Sequence, residues 1–102
     1  MKVYNTEKSL KNWVIEHRLA LYSDILDACE ENLVDEDKHV LIATIHTTHG
    51  VTVFSLPGVD DVLSSLKKCE DIFIQLEEYE KAARARDCYN EWFNKKIYKE
   101  KP

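Results

Sequence analysis

The stretch His39-Val-Leu-Ile-Ala-Thr-Ile-His-Thr47, then Thr48-His49-Gly50, then Val51-Thr-Val-Phe-Ser-Leu56 decides the fold. Both flanking runs are rich in β-branched residues, which fit a pleated, half-buried surface. Thr48-His49-Gly50 suits a three-residue hairpin loop with Gly50 in the left-handed conformation. With Thr47 facing Val51, Ile45 stands opposite Val53 and Thr44 opposite Phe54. One face then carries Leu41, Ala43, Ile45, Val51 and Val53. The other carries Val40, Ile42, Phe54 and Leu56, with Thr44, His46 and Thr52 among them. A two-stranded sheet is marginal alone. It must lie on helices, gain Lys2-Val3-Tyr4 as a third strand, or pair with another chain.

Working outward, Asp35 to Lys38 form a polar break before the first run. Upstream of it the period is helical from Thr6 to Leu33, with Asn5 or Thr6 as the cap. Ile15, Leu19, Tyr22, Leu26, Cys29 and Leu33 form one apolar stripe, and Leu10, Val14, Leu21, Ile25 and Ala28 a second. Two stripes predict a long central helix covered on two sides, with Asp27 and Glu30 facing water. Downstream, Pro57-Gly58 ends the hairpin and Asp60-Asp61 suit a helix N-terminus. Val59, Val62, Leu66, Cys69, Phe73 and Leu76 keep the three–four spacing of a helical seam. A second amphipathic segment runs from Glu80 to Tyr98. Glu77-Glu78-Tyr79 reads as the turn of an antiparallel helical hairpin over 59–98; one continuous helix is the alternative, because no Gly or Pro forces a break.

The expected architecture is therefore one α+β domain over residues 1–102: a long N-terminal helix at 6–33, a β-hairpin at 39–56 and a C-terminal helical pair. At 102 residues the chain has room for one hydrophobic core. The net charge of −5 weighs against nucleic-acid binding, which leans on a basic face. Three cysteines without a CxxC spacing suit buried free thiols in a reducing compartment rather than a disulfide framework. With neither a signal-like apolar run nor a stretch long enough for a membrane helix, a cytoplasmic location is expected and no membrane partner.

Leu76-Glu-Glu-Tyr79-Glu-Lys-Ala82-Ala83-Arg-Ala85-Arg86-Asp87 resembles the second half of a UVR motif. That motif is the helical hairpin of the UvrB excision-repair helicase, of UvrC and of the McsA kinase activator. Tyr79 matches its aromatic, Ala82-Ala83 its alanine pair and Arg86-Asp87 its Arg-Asp. Ala85 departs from the usual leucine, and Tyr89 and Trp92 stand where aliphatic residues normally follow. The resemblance implies a protein–protein docking element that pairs with another hairpin. In it, Tyr79 would plug the open end of the hairpin, and the alanines would let the helices approach closely.

Catalytic and metal chemistry find little support. His46 and His49 flank a turn, and even with His39 or Cys29 fall short of a zinc set. Cys88 has Arg84, Arg86 and Asp87 beside it but no histidine as a base. Asp60-Asp61 and Glu77-Glu78 are adjacent, so each pair points apart on a helix. No metal, cofactor or enzymatic activity is expected. Core packing accounts for most of the C-terminal aromatics Tyr89, Trp92, Phe93 and Tyr98. The surplus, with Ile74, suits an interface, where aromatics dominate.

The expected function is a non-enzymatic interaction module: a small adaptor or inhibitor, expected as a homodimer, that docks on a protein partner. The composition also suits a bacteriophage accessory protein acting on a host factor. Ile74, Tyr79, Arg84, Arg86, Tyr89, Trp92 and Phe93 are the expected partner-binding residues. The alternative is a small-ligand or nucleotide binder at a dimer interface, using Thr44, His46 and Thr52 with Arg84 or Arg86.

Overall fold

The computed structural model describes residues 2–33 and 39–100, with side chains through 97; the Asp35–Lys38 break and the Tyr98 side chain lie outside the described residues. The elements run β1 (Lys2–Asn5), α1 (Leu10–Glu16), α2 (Arg18–Glu31), β2 (Val40–Thr47), β3 (Gly50–Leu56), α3 (Val59–Gln75) and α4 (Tyr79–Glu100). The class is α+β, with four helices and a three-stranded sheet in the order β1-β2-β3.

The expected long N-terminal helix is overturned. Lys2–Asn5 is a strand lying parallel to β2, from Lys2 opposite Ala43 to Asn5 opposite His46. The Thr6 amide continues the ladder by donating to the His46 carbonyl at 2.9 Å. Neither Asn5 nor Thr6 caps a helix: Thr6 Oγ1 accepts from the Lys8 amide in a turn, and Ser9 is the cap, accepting from Asn12 N. The helix then breaks at His17 (φ −112°, ψ 26°), whose Nδ1–H donates to the Trp13 carbonyl while its ring stacks on the indole. Trp13 and Leu21 share a small core with Ile45. In one straight helix they would sit about 80° apart around the axis, so the break lets both reach the sheet. The expected stripe residues Ile15 and Leu19 are exposed instead.

The hairpin register also differs. Thr47 pairs with Gly50, so the loop is two residues, Thr48-His49; the pairs shift by one from the expected register as far as Ala43, and by two beyond the bulge at Leu41 and Val40. The Thr47 side chain organises this loop: Oγ1 accepts from the His49 amide and donates to the Gly50 carbonyl. Gly50 adopts φ +139°, a positive angle but not the left-handed helical one expected. Ile42 is the extra residue of a bulge between Leu41 and Ala43, which lets Val40, Ile42, Ala43 and Ile45 all face the core. Leu41, Val51 and Val53, expected on one face with Ala43 and Ile45, stand outward and exposed with Val3.

The helices cover the inner face of the sheet. Leu26, Cys29, Val40, Val62, Leu66, Phe73 and Trp92 form the main core, where α2, β2, α3 and α4 meet. α3 ends at Leu76 in a Schellman cap: Glu78 N donates to Phe73 O and Glu77 N to Ile74 O, with Glu77 at φ 59°. The chain then reverses into α4. At the far end of this antiparallel pair, Lys96 Nζ reaches Asp60 Oδ1 at 2.6 Å. No helix among the described residues is long and apolar enough to cross a membrane.

Candidate functional site

Helical spacing places Leu63, Lys67, Glu70 and Ile74 along one side of α3. It places Tyr79, Ala82, Arg86, Tyr89 and Phe93 along the facing side of α4. The two lines border a seam on the outer face of the hairpin. Leu63 and Ala82 are its buried floor, while Ile74 (48 % exposed), Tyr79 (64 %) and Phe93 (41 %) stand up around it. Near the turn, Glu70, Ile74, Tyr79, Ala82, Ala83 and Arg86 enclose a hollow of about 310 Å³. Further along, Tyr89 stacks on Phe93 with centroids 6.1 Å apart, and Lys67 Nζ lies 5.9 Å over the Tyr89 ring. Five of the seven expected docking residues, Ile74, Tyr79, Arg86, Tyr89 and Phe93, thus share one face.

The charges on this face are paired locally. Lys67 lies 3.6 Å from Glu70, and the Arg86 guanidinium 3.2 Å from Asp87. Such exposed pairs contribute little to stability. They frame the apolar surface with polar groups, the arrangement that marks interaction surfaces.

Two expected docking residues turn away from it. Trp92 is 1 % exposed, and its indole N–H donates to the Cys29 carbonyl at 2.9 Å. That carbonyl lies in the last turn of α2, where no helical amide remains to pair with it. Trp92 is therefore core and inaccessible to a partner. Arg84 holds α4 to α2: it donates to Asp27 Oδ1 at 3.0 Å and to both carboxylate oxygens of Glu30. Asp27 and Glu30, read as water-facing, are its partners. These hydrogen bonds hold the Arg84 guanidinium firmly in its charged form. Tyr79 does not plug the hairpin as the UVR resemblance implied. Ala82 and Ala85, rather than Ala82 and Ala83, are the small residues buried at the helix contact.

The expected ligand residues do not assemble. Thr44 pairs laterally with Val3 and Val53 on the outer face of the sheet, beside exposed His46. Thr52 stands opposite buried Ile45 and so faces the helices. The one-residue register difference put Thr52 on the wrong side of the sheet.

The titrating groups are built for structure. Burial, with Cys88 nearby, pushes the Cys69 thiol up to about 12. Burial, with Glu30 and Glu91 nearby, does the same to Cys88. Cys29, fully buried with Cys88 and Cys69 nearby, is pushed higher still. Thiols held this far above their ordinary value carry no thiolate to act as nucleophiles. The Tyr4 hydroxyl donates to the buried Asp24 carboxylate; burial and this bond raise Tyr4 to about 12. Among the described residues no three His, Cys, Asp or Glu side chains converge to hold a metal.

Sequence reasoning missed a groove between α1–α2 and β3, lined in part by Val14, Leu21 and Ile25 of the second apolar stripe. That stripe is the available signal: Leu21 and Ala28 are buried, whereas Leu10, Val14 and Ile25 are only half-buried. Searched against protein-family models, characterised proteins and solved structures, the chain matches none of them.

Proposed function

We propose that the chain is a non-enzymatic interaction module, a small adaptor or inhibitor that docks through the outer face of its α3–α4 hairpin. The observation that carries this reading is the exposed row Ile74, Tyr79 and Phe93 on one face, with the Tyr89–Phe93 stack beside it. An isolated exposed apolar residue is ordinary, but three bordering one seam with paired charges around them match an interface. The occupant is a second helical hairpin, and a second copy of this chain supplies one. A symmetric dimer needs a self-complementary patch, and a seam between two antiparallel helices provides parallel ridges and grooves for that. The likeness of residues 76–87 to the UVR hairpin supports the same reading, because UVR hairpins pair with hairpins. The three free, buried thiols support a reducing, cytoplasmic setting.

The test is light scattering over a concentration series, on the wild type and on Ile74→Asp and Phe93→Asp. Wild-type mass should rise to that of a dimer, and both variants should stay monomeric with unchanged melting temperature. A wild type that remains monomeric throughout would overturn the reading. So would variants that dimerise as it does.

A further inference from the structure

The groove missed in the sequence lies far along the chain from the hairpin face and has a different chemistry. Leu21 and Ile42 form its buried floor; Val14 and Ile25 wall it on the helix side, Phe54 and Leu56 on the β3 side. Its volume is about 450 Å³, within the ~300–1,000 Å³ of small-molecule clefts. No acidic residue lines it. Its one charged residue is Arg18, at the first position of α2. Among the described residues, no hydrogen bond or salt bridge engages the exposed Arg18 side chain, whereas Arg84 and Arg86 each have a carboxylate. In a chain of net charge −5, an apolar trough with a single uncommitted guanidinium asks for a ligand of matching shape. Beyond Arg18, Tyr22 and Ser55 the lining offers no polar side chain, so a polar metabolite would leave most of its donors and acceptors unpaired. An aliphatic tail would not, and a carboxylate matches the guanidinium fork in a bidentate pair.

We propose that this groove binds a medium-chain fatty carboxylate, with its tail over Leu21 and Ile42 and its head on Arg18. The proposal is independent of the hairpin reading, since the groove shares no residue with that face.

Calorimetric titration with octanoate, decanoate and decanol, the acids below their micelle concentrations and the alcohol within its solubility, tests it. Two added methylenes should tighten decanoate over octanoate by about 15-fold, each buried CH₂ being worth about fourfold. Decanoate should bind about 10-fold tighter than decanol, from the charge-assisted contact to Arg18. Arg18→Gln should erase that second difference without lowering the melting temperature. Amide shifts on adding decanoate should concentrate at Val14, Arg18, Ile25, Phe54 and Leu56, which tests the site without any variant. Absence of binding, equal affinity for acid and alcohol, or shifts centred on the hairpin face would each overturn it. So would retention on anionic phospholipid vesicles by a protein that ignores monomeric decanoate.

Discussion

Glu77 holds the left-handed backbone position at the C-terminus of α3, with φ 59°, where helices that end this way usually place glycine. A side chain costs roughly 1–2 kcal/mol in that conformation, part of which is offset because glycine loses more freedom on folding. Glu77→Gly is therefore expected to stabilise the protein by about 0.5–1 kcal/mol, raising the melting temperature by a few degrees. A fall in melting temperature would show that the Glu77 side chain makes a contribution its exposed position does not suggest. Trp92 is the opposite case. Trp92→Phe keeps most of the apolar bulk but strips the Cys29 carbonyl of its indole donor. The expected loss is about 1–3 kcal/mol, the cost of a buried unsatisfied acceptor, read from urea unfolding.

At the scale of elements, α4 is clamped to α2 by Arg84 on Asp27 and Glu30, by Lys81 on Ser23 and by the Trp92 bond. Arg84→Ala should cost no more than about 1 kcal/mol, because the cluster is partly exposed, and the loss should shrink in high salt. A salt-independent loss would point to packing of the aliphatic stem instead. The same scale shows what a reader of the sequence can and cannot see. The β-branched runs and the three–four spacing are local patterns, and they mark the strands β2 and β3 and the helices α3 and α4. Lys2–Asn5 carries no such pattern; Lys2-Val3-Tyr4 is open as a third strand only because a two-stranded sheet is marginal alone, and β2, some 40 residues on, offers the edge that settles it. The break at His17 is equally silent, since it depends on Trp13 reaching Ile45. The hairpin register hung on one threonine hydroxyl and one bulged isoleucine, and losing it scattered the expected ligand residues over two faces. Of the candidate docking face, the aromatic surplus was legible. What was not legible was which aromatic turned inward, because the partner of the Trp92 indole is a carbonyl on another helix.

Taken whole, the molecule is a flattened slab, 49 × 31 × 17 Å, whose core concentrates its buried thiols where three helices meet. Its stability should respond to alkali in a defined sense. In the unfolded chain the thiols lose their protons near 9, whereas in the fold Cys69 and Cys88 keep theirs to about 12. Tyr4 does the same between 10 and about 12. The unfolded state then binds fewer protons, so stability is full below pH 9 and falls as pH rises toward 12. Each group adds a slope of at most about 1.4 kcal/mol per pH unit. Urea unfolding under reducing conditions should show a plateau to about pH 8.5 and a decline beyond it, shallower in Cys69→Ala. A flat profile to pH 11 would mean that the thiols ionise freely in the folded state.

The parallel pairing of β1 with β2 also sets a timetable. Lys2–Asn5 leaves the ribosome about 40 residues ahead of its partner, a delay of roughly 2–8 s at ordinary synthesis rates. Through that interval the strand has nothing to pair with, and Trp13 waits uncovered beside it. The sheet is thus completed backwards, its first-made strand docking last among the three or together with the hairpin.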